Sequence, residues 1–424
     1  MIDSKTINEL IGVSESYKAP EILLKILLDE EKKNALFKKF LNIEKDLSYD
    51  WFTNYFQDEQ GDRATLKQDY TPDCLTELLC KLSAGSQTYR DVCAGCGGLT
   101  IKTWNANKNA EFVCEEFSSR AIPFLLFNLS IRKINAVVLQ RDVLSMETKN
   151  SYKLENGQIE PRKYTDGQQD VCISNPPYSL KFEAVDGYSH DKRYQYGLPP
   201  KKAADYCFAQ HCLYYCKEKT YLILPHGVLF RGNREEEIRK KMIEANVIET
   251  VIGLPGNMFL NTGIPVQIMV LNKHKTDNSI LVIDASKEFE KNGKQNRMTE
   301  ANISKCIDAY AGRKDIEKYS HLASMQEIES NDFNLNIPRY VDTTEDEPVP
   351  DLIETIKDIN SIDAEIKKAE AEIFKMVDQL QGTSQKAQEY LGKAKEEYKK
   401  REPAKKRKEI CESSQVCEQI GMKL

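Results

Sequence analysis

The sequence lacks the features of membrane and secreted proteins. None of its 424 residues fall in a run of the ~18 apolar residues that a membrane-spanning helix needs. The first residues, Met1 to Ser4, lead into polar sequence without a secretory signal. Hydrophobic residues make up 40% of the chain and charged residues 30%, as in an ordinary soluble globular protein. We therefore expect a cytoplasmic protein that does not enter a membrane.

The cysteines lack the spacing of a zinc site or a disulfide framework. Twelve of them are scattered along the chain, which favours reduced thiols in a reducing compartment. Cys93 and Cys96 form one Cys-x-x-Cys pair, but no second pair follows at matching spacing. Cys207, Cys212 and Cys216 follow helical spacing, which favours a buried helix face over a metal site. The sequence therefore predicts no metal centre.

The chain also lacks an excess of basic residues. Its formal net charge is −6, with 60 Lys and Arg against 66 Asp and Glu. Domains that bind nucleic acid usually show a basic excess, because neutralising phosphates supplies much of their affinity. If the chain acts on a nucleic acid, we therefore expect a partner to supply much of the affinity.

Three parts can be distinguished along the chain. Residues 1–65 are charged and show the apolar spacing of helices. Residues 66–345 alternate short β-type runs with helical patterns, which predicts an α/β fold with a mostly parallel sheet covered by helices. Residues 346–424 form a helical C-terminal region. The predicted strands cover residues 89–92, 111–114, 136–139, 171–174, 221–224, 247–252, 266–271 and 280–283.

The C-terminal region contains a coiled-coil-like repeat. Its apolar residues recur at alternating spacings of three and four, and they are Ile359, Ile362, Ile366, Ala369, Ile373, Met376 and Leu380. This pattern fits a helix packed on its own domain and a coiled coil with a partner equally well. Residues 391–410 carry nine basic and four acidic residues, which suits a solvated helix face or tail as well as a nucleic-acid contact.

A glycine-rich turn follows the predicted strand at 89–92. It reads Asp-Val-Cys-Ala-Gly-Cys-Gly-Gly at positions 91–98, and a helical pattern comes after it. Such a turn lets the backbone approach a ligand closely, because no Cβ intervenes. The turn therefore predicts a ligand site between the strand and the helix.

Acidic residues follow the next two predicted strands. Glu116 lies 19 residues beyond Gly97, where a carboxylate accepts hydrogen bonds from a pair of ribose hydroxyls. Asp142 follows the strand at 136–139 and should reach the same edge of the sheet. The sequence shows no Gly-x-x-x-x-Gly-Lys-Ser/Thr phosphate-binding loop, so we expect a nucleoside ligand without phosphates rather than ATP.

The run Asn-Pro-Pro-Tyr at 175–178 ends another predicted strand. Pro176 and Pro177 fix φ and lack N–H donors, which leaves carbonyl groups as acceptors. The Asn175 side-chain oxygen and the Pro176 carbonyl can then both accept from one amino group and make it more nucleophilic. Tyr178 offers a flat face on which a planar ring can stack. The run therefore predicts a site for an exocyclic amine.

The glycine turn and the Asn-Pro-Pro-Tyr run, in this order, resemble the amino-methyltransferases of the gamma class. The segment at 67–72, with Tyr70 and Thr71, resembles the segment of that class that touches the methionine end of the cofactor. Motifs that closely resemble the modification (M) subunits of type I restriction–modification systems lie at 224–232, 251–265 and 334–340.

This resemblance implies a Rossmann-like methyltransferase domain that uses S-adenosyl-L-methionine to methylate the 6-amino group of an adenine flipped out of DNA. It also implies assembly with a specificity subunit through the C-terminal helices and, in some systems, with a restriction–translocase subunit. Phe259 would form the second face of the base clamp, opposite Tyr178. The implied cofactor contacts are Glu116 for the ribose and Asp142 for the adenine, with Tyr70, Thr71, Asp91, Ala94, Gly95, Gly97 and Asn175 for the remainder.

Two other functions fit part of the pattern. Asn-Pro-Pro-Tyr also occurs in methyltransferases that act on glutamine amides of translation factors, but the region at 261–265 and the long helical C-terminus count against that substrate. A subunit that holds the cofactor without turnover is the second alternative. The intact run at 175–178 counts against it, because such a subunit has no physical need for that turn.

Overall fold

The structure is a computed structural model that describes residues 2–59, 71–181, 190–260, 262–343 and 351–399. The backbone divides into two compact units, Met1–Thr344 and Glu345–Leu424. The first unit contains both helices and strands, whereas the described part of the second is helical. The domain boundaries predicted at residues 65 and 345 stay predictions.

The helices begin at residues that suit helix starts. Asp3 and Asp29 accept hydrogen bonds from backbone N–H groups at the first turns of the helices Ser4–Ile11 and Glu30–Ile43, and Thr299 forms a capping box with Asn302 at the start of the helix Glu300–Gly312. The helices are α1 (Ser4–Ile11), α2 (Ala19–Leu27), α3 (Glu30–Ile43), α4 (Thr53–Glu59), α5 (Asp73–Leu82), α6 (Gly98–Ala106), α7 (Ile122–Ile131), α8 (Asp205–Tyr215), α9 (Arg234–Glu244), α10 (Glu300–Gly312), α11 (Met325–Ser330), α12 (Leu352–Gln379) and α13 (Gln385–Lys399).

An eleven-stranded sheet forms the centre of the first unit, in the order β13-β10-β8-β9-β7-β6-β1-β2-β3-β4-β5. Eight of its strands run in one direction, and β4, β9 and β13 run against them. The α/β fold with a mostly parallel sheet is therefore confirmed. The strands are β1 (Thr88–Val92), β2 (Glu111–Glu116), β3 (Ala136–Arg141), β4 (Thr148–Glu155), β5 (Gln158–Pro161), β6 (Gln169–Ser174), β7 (Cys216–Pro225), β8 (Ile248–Gly253), β9 (Val266–Asn272), β10 (Ile280–Asp284), β11 (Glu290–Asn292), β12 (Gln295–Arg297) and β13 (Ser320–Ala323), of which β11 and β12 pair separately.

The direction of the chain across the sheet reverses between β1 and β6. From β1 the chain adds β2 and β3 on one side, and it then returns to place β6 on the other side of β1. The two neighbours of β1 are parallel to it, so that Asp91 pairs with Cys114 on one side and with Ile173 on the other. In open α/β sheets, ligands bind in the crevice at the carboxyl ends of strands where the order reverses. The fold therefore brings the loops after β1, β2, β3 and β6 to one crevice.

The N-terminal helices pack on helix α7, whose ten residues are all buried. Phe37 and Phe40 place their ring centroids 4.9 and 4.7 Å from that of Phe127, and Phe52 lies 5.0 Å from Phe124. Fully burying each such ring contributes about 1.5–3 kcal/mol to folding. This aromatic cluster holds α7 in place beside the glycine turn that precedes α6.

The predicted strands all appear in the structure, but several observed strands were not predicted. The missed strands include β4 and β5, whose residues are mostly exposed and polar. Burial of apolar residues is the signal that periodicity detects, and these edge strands carry little of it. The other missed strands, β11, β12 and β13, are three or four residues long.

In the second unit, helix α12 carries the apolar repeat predicted from the sequence. None of its residues is buried, and Ile359, Ile362, Ile366 and Ile373 are each between 43% and 52% exposed. Asp351 accepts hydrogen bonds from Ile353 N and Glu354 N and so caps the helix start. The repeat is thus an exposed apolar seam on a 28-residue helix. Residues 400–410 of the basic stretch lie outside the described residues.

Candidate active site

The candidate site is built from loops at the carboxyl ends of four neighbouring strands. Asp91 lies near the end of β1, Glu116 ends β2, Asp142 follows β3 and Asn175 follows β6. These residues are far apart in sequence, and the parallel strands bring them to the same edge of the sheet. Their shared position follows from the topology, as the sequence predicted.

One position of the glycine turn has a backbone conformation that only glycine adopts without strain. Gly97 caps helix α6 with φ +94°, a left-handed conformation that strains residues with a side chain. A Cβ at this position would also lie 2.8 Å from Leu125 Cδ1 in α7. At Gly98, by contrast, a Cβ would meet no atom within 4 Å. Gly97 therefore serves the close packing of the turn, whereas Gly98 borders open space.

The carboxylate of Glu116 is tied to the glycine turn. Its Oε2 accepts from Gly95 N at 2.9 Å, and its Oε1 accepts from Ser118 N at 2.7 Å. Burial raises the pKa of the Glu116 carboxyl, although these backbone N–H groups act in the opposite direction. A carboxylate has about four acceptor sites, so capacity for a ligand hydroxyl remains beside these backbone contacts. Glu116 thus holds Gly95 in place and keeps the capacity to bind a hydroxyl pair.

Asp91 joins the end of β1 to helix α6. Its Oδ2 accepts from the Thr100 hydroxyl at 2.6 Å. Burial raises the pKa of the Asp91 carboxyl to about 7, despite the hydrogen bonds from Thr100 that lower it. Its Oδ1 is buried and has no hydrogen-bond partner among the described residues. Such an oxygen is costly unless a ligand supplies the donor.

The loop after β3 is folded by the side chain of Asp142. Its Oδ1 accepts from Leu144 N at 2.9 Å, and its Oδ2 accepts from the Ser145 hydroxyl at 2.8 Å. This turn leaves Asp142 partly exposed at the edge of the crevice.

Ala94 attaches the glycine turn to the end of β2. It is buried, and its backbone N–H donates to Glu115 O at 2.9 Å.

Asn175 uses both ends of its side-chain amide within the site. Its Nδ2 donates to the hydroxyl of Thr71 at 2.9 Å, across 104 positions of sequence. Its Oδ1 accepts from the Tyr178 hydroxyl at 2.6 Å. Tyr70, the other residue of the predicted segment, lies outside the described residues. The structure therefore brings Thr71, Asn175 and Tyr178 together, and the acceptor predicted for an amine already holds a hydroxyl.

The rings of Tyr178 and Phe259 lie close together but not face to face. Their centroids are 5.8 Å apart and their planes cross at 90°. Phe259 is only 3% exposed, whereas Tyr178 is partly exposed. A planar base could not stack between two rings in this arrangement, because stacking requires parallel faces. The predicted clamp would need one ring to move, and Tyr178 is the more accessible of the two.

A match to a known family covers most of the chain. The match is to N-6 DNA methylases and spans residues 46–348. The chain belongs to the N-6 DNA methylase family. Its resemblance to type I modification subunits is also confirmed, since similar proteins carry that description.

Relatives of this N-6 DNA methylase family member include named methylase subunits. The type I restriction enzyme MjaVII methylase subunit of Methanocaldococcus jannaschii is 30% identical over 355 residues, which cover 78% of this chain and 58% of that protein. The HindI methylase subunit of Haemophilus influenzae is 28% identical over 319 residues, covering 70% of this chain and 68% of that protein.

A solved structure shares the fold of this chain. The type I restriction–modification methyltransferase subunit from Streptococcus thermophilus has a TM-score of 0.63 and 30% identity, and the alignment covers 80% of each chain. The present chain spans little more than half of the MjaVII and MjaVIII methylase subunits of M. jannaschii, at 58% and 56% of their lengths.

Phe117 is a candidate ligand contact that the sequence predictions missed. It directly follows Glu116 and is 48% exposed, although large apolar side chains are usually buried. The ammonium of Lys149 lies 5.9 Å from the centre of its ring. An exposed aromatic face beside the carboxylate that the sequence predicts to bind a ribose suits the stacking of an adenine ring. An aromatic residue directly after the strand-ending acid is a signal that could have identified it.

A buried ionic network supports the sheet beside the site. Glu115 lies 2.9 Å from Arg90, 3.0 Å from Arg141 and 2.9 Å from His211, and its side chain is fully buried. Burial alone would raise the pKa of the Glu115 carboxyl, but Arg90, His211 and Arg141 together hold it well below its ordinary value. Consecutive side chains of a strand point to opposite faces, so this network lies on the other face from Glu116.

The described residues contain neither a cluster suited to a metal ion nor a helix suited to a membrane. No group of three or more His, Cys, Asp or Glu side chains there is arranged to hold a metal ion. The ten cysteines of the described residues are free, and Cys207, Cys212 and Cys216 are buried. Within the same residues, no helix has both the length and the apolar character needed to cross a membrane.

Proposed function

We propose that this chain is the modification subunit of a type I restriction–modification system, and that it transfers a methyl group to the 6-amino group of adenine in DNA. The observation that carries the proposal is the position of Asn175. Its amide lies at the carboxyl end of β6, at the point where the strand order reverses and beside the glycine turn after β1. Membership of the N-6 DNA methylase family supports this function.

The residues of the glycine turn fit S-adenosyl-L-methionine. Glu116 keeps free acceptor capacity for a ribose hydroxyl pair, Phe117 offers an exposed ring for an adenine, and Asp91 has a buried oxygen that lacks a donor. Asp142 would accept from the adenine amine, and Thr71 and Asn175 would border the methionine end. Bound there, S-adenosyl-L-methionine would supply an electrophilic methyl group.

The Asn-Pro-Pro-Tyr run would orient the target amine. The Asn175 Oδ1 and the Pro176 carbonyl would accept from the two hydrogens of the adenine amino group, which draws its nitrogen toward a nucleophilic geometry. Pro177 stiffens the turn by fixing φ. The Tyr178 hydroxyl now donates to Asn175 Oδ1, and an amide oxygen has two lone pairs, so the amine would either take the second lone pair or displace the hydroxyl.

Tyr178 and Phe259 would hold the flipped base. Phe259 is buried at 3% exposure and fixed in the core, so it would act as a wall of the pocket. Tyr178 would rotate from its present edge-to-face contact, at 90°, and place its ring on the base. This movement would couple release of Asn175 Oδ1 to formation of the base pocket.

A specificity subunit would bring the DNA sequence to this site. The chain has a net charge of −6, which is unfavourable for strong binding to DNA alone. The exposed seam of α12 offers a surface for the helices of such a subunit.

We also propose a division of the chain into three parts. Residues 1–65 form the helical part, residues 66–345 the catalytic part and residues 346–424 the partner-binding part. A restriction–translocase subunit can join the assembly.

Transfer of labelled methyl groups from S-adenosyl-L-methionine tests this function. Unmethylated DNA should gain label when a specificity subunit is co-expressed with the chain, and little without it. Label on DNA without any partner would support the proposed methyl transfer but contradict its dependence on a partner. If cofactor binds but DNA gains no label in either case, a protein glutamine acceptor would become the preferred substrate.

A further inference from the structure

The residue that follows the Asn-Pro-Pro-Tyr run has an unusual backbone. Ser179 has φ +49°, in the left-handed region that residues other than glycine rarely adopt. Such a conformation is strained and persists only where the surroundings hold it. Since Ser179 directly follows Tyr178, its backbone conformation sets where the run leaves the site.

The carboxylate of Asp205 holds this strained residue. Asp205 is the first residue of α8, and its Oδ1 accepts from Ser179 N at 2.9 Å. The adjacent Ala204 N donates to Leu180 O at 2.9 Å, so the start of α8 is bonded to the chain on both sides of the Ser179 peptide. Asp205 is fully buried, where an unpaired carboxylate would be costly.

Arg231 contacts both Asp205 and Ser179, and its Nη1 also lies 3.4 Å from Glu235 Oε1. Its Nη1 lies 3.0 Å from Asp205 Oδ2, and its Nη2 donates to the Ser179 hydroxyl at 3.1 Å. The two-pronged guanidinium therefore pairs with the carboxylate and the strained serine at once. These three residues come from three separate segments of the chain.

Gly227 makes room for this arginine. A Cβ on Gly227 would lie 2.4 Å from Arg231 Nε and 2.6 Å from its Cζ, which is closer than any real contact. The glycine does not have a left-handed φ, so its role here is space rather than backbone freedom. The segment before Arg231 is thus shaped to let the guanidinium lie against the backbone.

We infer that Asp205, together with Arg231, is a positioning residue for the base-binding half of the site. It acts through Ser179 by fixing the backbone that carries Tyr178, and it has no direct role toward the amine or the cofactor. The inference rests on the proposed methyl transfer to DNA. It adds residues that the Asn-Pro-Pro-Tyr run alone does not identify.

The main test is Asp205→Asn in the complex of the full chain with its specificity subunit. The amide can still accept from Ser179, but it loses the ion pair with Arg231. We expect kcat for DNA methylation to fall about 10- to 100-fold, as small misplacements near a reacting group do. The Kd for S-adenosyl-L-methionine, measured by calorimetry, should stay within about twofold because Asp205 does not touch the cofactor half.

Glu249→Gln is the matched control. Glu249 is also a buried carboxylate, 5% exposed, and its side chain lies 3.0 Å from the Lys219 ammonium. It stands near the start of β8, whereas the candidate site lies at the carboxyl ends of the strands. The Glu249→Gln variant should lose a similar amount of stability but retain the kcat of the wild-type complex.

Gly227→Ala displaces Arg231 without touching Asp205. It should lower kcat in the same way as Asp205→Asn, and it provides the second variant if the first folds poorly.

Ser179→Gly distinguishes positioning from a general structural role. Glycine adopts φ +49° without strain, so adding this change to Asp205→Asn should recover part of the lost kcat. A defect in the stability of α8 would not be repaired by a glycine at position 179. Normal kcat in both Asp205→Asn and Gly227→Ala, or a loss of cofactor binding as large as the loss of kcat, would overturn the inference. An inactive wild-type complex would instead reject the proposed function, and the inference with it.

Discussion

The cofactor half and the base half of the site differ in how their polar groups are satisfied. In the cofactor half, Glu116 accepts from backbone N–H groups of Gly95 and Ser118, and the left-handed Gly97 is packed against α7. In the base half, the Asn175 amide is satisfied by two side-chain hydroxyls, those of Thr71 and Tyr178. Backbone contacts persist when a ligand arrives, whereas a hydroxyl can rotate away.

This difference indicates that the cofactor and the target base need different amounts of rearrangement in order to bind. The cofactor half is already shaped, so S-adenosyl-L-methionine should bind the chain without DNA and without a large rearrangement. In the base half, the adenine amine must reach Asn175 Oδ1 beside the Tyr178 hydroxyl or in its place, and the Tyr178 ring must turn from its perpendicular contact with Phe259 before it can stack on the base. Variants in each half should therefore separate cofactor binding from methyl transfer.

The largest expected effect is that of Asn175→Ala. Removal of the amide takes away one of two acceptors for the target amine, so kcat should fall by at least about 100-fold, as for the loss of one donor in an oxyanion hole. Cofactor affinity should change little. Label transfer and calorimetry on the same preparation measure both quantities. Near-normal turnover would show that Asn175 does not orient the amine.

Glu116→Ala should affect the other half. Loss of a carboxylate that bonds a hydroxyl pair costs about 1.5–3 kcal/mol, so the Kd for S-adenosyl-L-methionine should rise roughly 10- to 100-fold. Glu111→Ala is the control, since Glu111 is exposed at the opposite end of the same strand. Equal Kd values for the two variants would show that the Glu116 carboxylate does not bind the cofactor.

A comparison of two adjacent glycines tests how rigid the cofactor half is. Gly97→Ala strains a left-handed residue and meets Leu125, so the free energy of unfolding should fall by about 1–3 kcal/mol. Gly98→Ala meets no atom and should leave stability unchanged. Chemical denaturation of the two variants measures the difference. Equal stability would mean that the turn adapts, contrary to the account above.

The smallest expected effect is that of Tyr178→Phe. The hydroxyl donates to Asn175 Oδ1 before the amine binds, and in the variant the ring remains to stack on the base. Steady-state kinetics should show kcat within about threefold of wild type, with an unchanged or lower KM for DNA. A loss beyond tenfold would assign the hydroxyl a direct part in the transfer.

Local patterns were sufficient to predict part of this site. The buried strands, the glycine turn and the Asn-Pro-Pro-Tyr run are each encoded within a few consecutive residues, and their shared edge follows from parallel topology. The apolar repeat of α12 was also found in the sequence, but its exposure was not. Exposure depends on what the rest of the chain covers, which periodicity does not report.

Contacts between distant segments could not be predicted in the same way. Asp205, Arg231 and Ser179 come from three segments, and nothing near any one of them indicates the other two. The perpendicular rings of Tyr178 and Phe259 depend on rotamers that tertiary packing selects. Phe117 was overlooked because a phenylalanine after a buried strand usually belongs to the core.

Identification of the methylated nucleoside tests the central claim most directly. DNA treated with the chain, its specificity subunit and S-adenosyl-L-methionine would be digested to nucleosides and analysed by mass spectrometry, with the Asn175→Ala complex as control. The account predicts N6-methyldeoxyadenosine as the methylated product with the wild-type complex, and at least about 100-fold less of it from Asn175→Ala in the same time. Methyl groups on cytosine, or adenine methylation by Asn175→Ala at a rate near that of the wild type, would contradict it.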